Sequence, residues 1–356
     1  MSDSTNMEPK ASGIPTARTL GTKDKPYIGG QAVIEGVMMR SPNGLSVAVR
    51  RPDGSLAVHE EPYKPRFSKK IWKVMGFRGV ATLVESLSIG FRALNFSAEQ
   101  QMTEEEKAQE GESSKMAMIA ATVFALGLFV ALPQLLAAGS GKLFGVEFGL
   151  DDANYHFVIG GFKLLVVFTY LMSISMLKDV RRTFQFHGAE HKTIHAYEKE
   201  LDLTVENVRA QTTLHPRCGT TFLIVVVFVS ILAGALFAPL LLPDVDGFLG
   251  QVLLLVLRIA LLPLIAAVSF EFQRFTARYC TTGPLQVLLW PGFLFQKITT
   301  REPTDDQIEV AITAMEAAAW RERVGVDVPA GDEPLLYPSF DGFVAALPAL
   351  RAESVA

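Results

Sequence analysis

Cysteine is nearly absent: Cys218 and Cys280 are the only two among 356 residues. They lie in different polar contexts, which excludes a disulfide framework. If both face the cytoplasm, they are reduced thiols. A large charge of one sign is missing too. The formal net charge of −4 gives no reason to expect a nucleic-acid partner, and none is assigned. The first 25 residues are rich in Ser, Thr, Pro and Lys and lack the apolar centre of a signal peptide, so 1–26 is expected to be a disordered lead. No internal repeat is evident. The one phosphate-loop resemblance, AAGSGKL around Lys142, lacks the first Gly at the required offset and the Ser or Thr after Lys, which excludes a P-loop nucleotide site.

Charge is also missing from four long stretches, 117–138, 157–177, 220–242 and 248–270. About 20 apolar residues cross a bilayer as a helix, and each run qualifies. The link between the first two runs holds Lys142 against Glu147, Asp151 and Asp152, and the link between the last two holds Asp244 and Asp246 without a base. The middle link carries Lys178, Arg181, Arg182, Lys192, Lys199, Arg209 and Arg217, and Arg274, Arg278, Lys297 and Arg301 follow the last run. Basic flanks stay on the cytoplasmic side. The expectation is therefore a multi-pass bacterial inner-membrane protein with both termini and the middle loop, 178–219, in the cytoplasm. Two charges interrupt the apolar runs. Arg258 is near the middle of the fourth, where an ionised group needs a partner or a cavity; Glu85 and Glu35 are the candidates. Lys163 is nearer a run's end and is expected to snorkel. Pro133 and Pro263 are expected to kink their helices.

The polar parts have their own periodicities. From 27 to 65, QAVIEGVMMR, LSVAVRR and SLAVHEE alternate or carry β-branched residues, separated by the turn sequences SPNG and PDG; this reads as a small antiparallel β-meander. Over 70–98, Phe77, Val80, Val84, Leu87, Phe91 and Leu94 recur at helical spacing, an amphipathic helix that lies at the interface or packs on the spans. PLQVLLWPGFLFQK at 284–297 is apolar but too short to cross, an interfacial or re-entrant piece. Thr304 and Gln307 form a capping-box pattern ahead of a helix over 305–323. The segment 324–356 reads as a tail.

Chemistry concentrates in the middle loop. Four of the six histidines lie between 187 and 215. In HGAEHKTIHAYE, a helix that starts with His187 at zero places His191, His195 and Glu198 at about 40°, 80° and 20°, so three imidazoles and a carboxylate share one stripe. The stripe spans more than two turns, so one ion takes neighbours at i,i+4: His187 with His191, or His191 with His195. Gly188 is the residue at which such a helix would break. His187-x-x-Glu190-His191 also matches the inverted zincin pattern, two ligands with a Glu as base. The second group, His215-Pro-Arg-Cys218, is a loop because Pro216 holds His215 extended; Thr220 or Thr221 is expected to cap the following span. Arg217 and His215 lower the pKa of Cys218. Glu271 and Glu35 are placed to reach the same face.

Several long motifs carry a resemblance. IGGQAVIEGVMMR, RGVATLVESLSIGFRALNFSAE, FQFHGAEHKTIHAYE, TLHPRCGTTF and the stretch from Pro291 to Ile312 are similar to the YqhQ-like family of bacterial membrane proteins, a domain of unknown function. The resemblance covers 27–319. It implies a metal-dependent enzyme with no reaction attached, its His-rich motifs falling on His187, Glu190, His191, His195, His215 and Cys218.

The expected fold is mainly α: four transmembrane helices over 117–270, with the meander, amphipathic helices and 284–323 on the cytoplasmic side. The expected activity is that of a zinc-type metal-dependent hydrolase, its divalent metal held by His187, His191, His215 and Cys218. Glu190 is the base; His195, Glu198 and Glu271 orient those ligands from behind or take their place on the metal. The substrate is a membrane lipid, a lipid-linked molecule or a membrane-proximal peptide. The rival is a transporter, for which Arg258 speaks, or an assembly scaffold with a structural metal. A haem protein would need a histidine deep in facing spans, and no run has one at its middle.

Overall fold

The computed structural model describes residues 26–67, 69–103, 113–145, 149–150, 152–242, 247–331 and 333–353. The lead at 1–25 and the acidic link residues Glu147, Asp151, Asp244 and Asp246 lie outside the described residues. The chain is mainly helical and arranged as a polar layer on an apolar bundle.

The polar layer holds a five-stranded antiparallel sheet in the order β1-β2-β3-β4-β5. Its strands are β1 Gly29–Val33, β2 Gly36–Arg40, β3 Gly44–Arg50, β4 Leu56–Pro62 and β5 Leu335–Tyr337. The meander is present, with one difference. QAVIEGVMMR is not a single strand but a hairpin, pairing Val33 with Gly36. Glu35 takes the left-handed conformation at the turn, φ 52°, and Gly36 is needed beyond it: a Cβ there would lie 2.3 Å from the Ala48 carbonyl oxygen. The tail supplies β5, which pairs with β4, and a last helix.

The helices are α1 Phe77–Glu99, α2 Ser113–Leu126, α3 Leu132–Phe144, α4 Ala153–Ile174, α5 Lys178–Glu198, α6 Val205–Arg209, α7 Gly219–Leu241, α8 Gly247–Ala260, α9 Leu262–Tyr279, α10 Trp290–Thr299, α11 Asp305–Val324 and α12 Phe340–Glu353. The capping box forms at Thr304 and Gln307 and starts α11. That helix is buried on nearly every side between the sheet and α5, with Ile308, Val310, Ile312 and Met315 at 0–1% exposure. Burying such a side chain stabilises by about 1.5–3 kcal/mol, so α11 anchors the polar layer and fixes α5 in place.

Three helical spans are long and apolar enough to cross a membrane: Ile119–Gly141, Ala153–Ile174 and Gly219–Leu241. A fourth exists if α8 and α9, bent by 47°, count as one. Pro263 opens α9, as its expected kink requires. A π-helical turn, Gly127–Ala131, separates α2 from α3; Pro133 lacks an N–H and crowds the carbonyl four residues before it, which relaxes into the wider turn.

Two expectations about charges fail. Lys163 does not snorkel: it is 8% exposed and donates to Ser230 Oγ at 2.9 Å. Arg258 is partnered neither by Glu85, which binds Tyr63 and the Phe67 amide, nor by Glu35, which pairs with Arg182. Its guanidinium instead meets His156 Nδ1 at 2.8 Å, across the α4–α8 interface.

The helix α1 turns its small residues Gly79, Ala81, Gly90 and Ala93 inward. Gly79 packs on the α9 backbone at Ala267. Phe77, Val84, Leu87 and Phe91, most of the apolar stripe, are 44–64% exposed and face away from the protein.

Candidate metal centre

The helix α5 runs unbroken through Gly188. A Cβ at Gly188 would lie 2.0 Å from the Arg301 carbonyl oxygen, so glycine there permits close approach of the 300–302 segment, whose Arg301 amide donates to Phe184 O at 2.9 Å. The helix therefore carries His187, Glu190, His191, His195 and Glu198 as one rigid strip. The loop before α7 brings His215 and Cys218 against it. Gln296 of α10 holds that loop from both sides, accepting from the His215 amide at 2.8 Å and donating to the His215 carbonyl at 2.7 Å. The cap of α7 is not Thr220 or Thr221 but Cys218, whose sulfur accepts from the Thr220 amide. A helix N-terminus favours negative charge, hence a thiolate.

The strip and loop form two adjacent trios. Ligand atoms of His187, His191 and Cys218 lie within 4.8 Å of one another, and so do those of His195, Glu198 and His215. In the first, Cys218 Sγ is 3.2 Å from His187 Nε2, and Glu190 Oε2 is 3.8 Å from His187 Nε2 and 3.7 Å from His191 Nε2. Both imidazoles are oriented from behind: His187 Nδ1 meets the Thr299 carbonyl at 2.8 Å, and His191 Nδ1 meets that of Thr213. Nδ1–H donation to a carbonyl leaves Nε2 with its lone pair, the tautomer a metal ligand needs. Two nitrogens, a sulfur and a nearby carboxylate suit a borderline divalent ion. His215 falls in the second trio. There the chain's own cation is already in place: the Arg217 guanidinium pairs with Glu198 and stands 3.4 Å from His215 Nε2. A metal at that trio would have to displace it. Glu271 joins neither group, because Arg78 of α1 engages its carboxylate, with Nε to Oε1 at 2.6 Å.

Burial sets the electrostatics. It raises Glu190 to about 8 and lowers His191 and His215 to about 4 and His195 to about 3, since each charged form loses its hydration. For Cys218 burial pushes up, but His191 and the Thr220 contacts outweigh it and hold the thiol below its ordinary value.

Sequence reasoning missed Thr213, Gln296, Thr299 and Gly30. A Cβ on Gly30 of β1 would sit 2.6 Å from Glu190 Cγ, so the strand roofs the carboxylate. Only Gln296, a lone amide within the apolar WPGFLFQK, left a signal.

With this geometry in hand, comparison with known proteins places the chain. Residues 76–320 match the model of a family described as a protein of unknown function, DUF1385. The chain belongs to this family. It is also 35% identical over 304 residues to the uncharacterized protein YqhQ of Bacillus subtilis (strain 168), covering 82% of this chain and 91% of that one. No solved structure matches significantly. The DUF1385 segment contains every residue of both trios, while the roofing strand β1 precedes it.

Proposed function

We propose that the protein crosses the bacterial inner membrane four times with both termini in the cytoplasm, and that the α5 cluster is the centre of a zinc-type metal-dependent hydrolase at the cytoplasmic face. The observation that carries this is the pair of backbone carbonyls behind His187 and His191, which turn two lone pairs toward one thiol and one carboxylate. The outward apolar face of α1 and the three apolar spans, with the bent α8–α9 pair taken as a fourth, support the membrane placement.

In this reading His187, His191 and Cys218 would hold the ion. A bound zinc would supply Lewis-acid polarisation and acidify a water molecule. Glu190 would be the base for that water: burial alone raises it to about 8, and a cation held beside it would draw it back toward the ionised form. Thr213 and Thr299 orient the imidazoles. The Arg217–Glu198–His215 group braces the loop that carries Cys218. The substrate is taken from the membrane surface.

The test is metal content by plasma mass spectrometry of the purified, tag-free chain beside a His187→Ala/His191→Ala variant. About one metal per chain, lost in the variant, is expected; no metal in either protein removes the enzyme reading. The rival transporter reading is favoured by one observation, the buried polar group of Arg258, His156, Lys163 and Ser230 between α4, α7 and α8. Function abolished by Arg258→Leu but kept in Glu190→Gln would put it first.

A further inference from the structure

A cavity of about 620 Å³ lies between the β1–β2 hairpin, α1 and α9, within the size range of pockets that enclose a whole ligand. Its charged lining is of one sign. Arg40, Arg217, Arg274 and Arg278 reach it, and no Asp or Glu does. Two of these are compensated from outside the cavity: Arg40 lies 3.7 Å from Glu85, and Arg217 pairs with Glu198. Arg274 and Arg278, one turn apart on α9, have no ion pair among the described residues and are exposed. Glu271 lies close enough to Arg274 to feel its charge, but Arg78 engages that carboxylate, so the cavity keeps an excess of guanidinium charge, which suits a phosphate monoester carrying close to two negative charges at neutral pH.

The rest of the wall mixes apolar Met38, Ile89, Phe270 and Ala277 with uncharged polar side chains such as Thr82 and Ser86. Ile89 belongs to α1, the helix whose opposite face exposes Val84, Leu87 and Phe91, and Phe272 and Phe275 of α9 are exposed likewise. A ligand with its head among the arginines would therefore lay its tail between two helices that themselves turn apolar surface outward. The cavity shares walls with the candidate metal centre. Gly30 lines it and packs on Glu190. Gln273 lines it and donates to the Cys218 carbonyl at 2.9 Å.

We propose that this cavity binds a phosphate-terminated amphiphile drawn from the membrane, and that such amphiphiles are the substrate class of the neighbouring centre. The second half rests on the hydrolase reading above; the first stands on the cavity alone.

Binding of dioctanoyl phosphatidic acid to the full chain in detergent, measured by calorimetry, tests it. Dioctanoyl phosphatidylglycerol, a monoanionic diester, and inorganic phosphate serve as the other probes. Phosphatidic acid is expected to bind at least about tenfold more tightly than either. Arg274→Gln/Arg278→Gln, at exposed positions, is expected to lose at least about tenfold, while the exposed pair Lys69→Gln/Lys70→Gln changes little. His187→Ala/His191→Ala is expected to keep the binding, which separates failure of the metal reading from failure of this one. Equal binding by the arginine and lysine variants overturns the proposal, as does no binding of phosphatidic acid. Inorganic phosphate binding as tightly as the lipid overturns the amphiphile.

Discussion

Replacing Gly30 by alanine tests whether β1 positions Glu190. The added methyl would stand 2.6 Å from Glu190 Cγ, 2.7 Å from its Oε1 and 2.9 Å from Met39 Sδ, well inside the 3.4–4 Å of ordinary contact. Glu190 is 4% exposed and Met39 0%, so neither has room to swing away. Overpacking of this kind costs about 1–3 kcal/mol. If the carboxylate yields, it moves relative to His187 and His191, and zinc affinity falls by about tenfold for each 1.4 kcal/mol of strain. The assay is competition with a zinc chelator in detergent, run beside thermal unfolding. Gly161→Ala, inside a helix and with nothing within 4 Å of the added carbon, is the control: its affinity should match the parent's and its midpoint should be no lower. A Gly30→Ala protein with the parent's midpoint and affinity would refute the account of β1 as a roof.

Two further outcomes follow from the buried charges. His191, His195 and His215 are held neutral, with values of about 4, 3 and 4 against about 6.5 for an unfolded histidine. Below that value the three histidines, which bind more protons unfolded, outweigh the one proton that folded Glu190 retains up to about 8, so the metal-free protein should be most stable near pH 6.5–7, losing stability as pH falls toward 4 and, more weakly, as it rises toward 8; a thermal midpoint flat from pH 7 to 5 contradicts this. Arg217→Ala leaves Glu198, 6% exposed at its side chain, without its cation and should cost about 3–5 kcal/mol in unfolding measurements. Adding Glu198→Gln to Arg217→Ala should restore part of it, and no restoration would refute the pairing.

How much was legible depended on the range of the interaction. The apolar runs, the α11 capping box and the His187–Glu198 stripe are local patterns, and the structure has them within a few residues. The i,i+4 rule grouped His187 with His191, but whether Cys218 or His215 joins them depends on how Gln296, 81 residues beyond His215, pins the loop. The partner of Arg258 was invisible for the same reason: His156 is 102 residues away and adjoins an apolar run rather than interrupting one. Lys163 was misjudged because depth along a run does not say which face a residue takes, and Ser230 waits on the inner face. In α1 the apolar spacing was read correctly as a stripe, yet the face that packs is the one of Gly and Ala. Close helix–helix approach selects small residues there, and that left the large ones outside.

The claim that His187, His191 and Cys218 hold one metal meets its most direct test in X-ray absorption of the protein loaded with one equivalent of zinc. The account predicts one sulfur at about 2.3 Å and imidazole nitrogens at about 2.0–2.1 Å, with the sulfur shell lost in Cys218→Ser. A first shell of nitrogen and oxygen alone in the unsubstituted protein would contradict it.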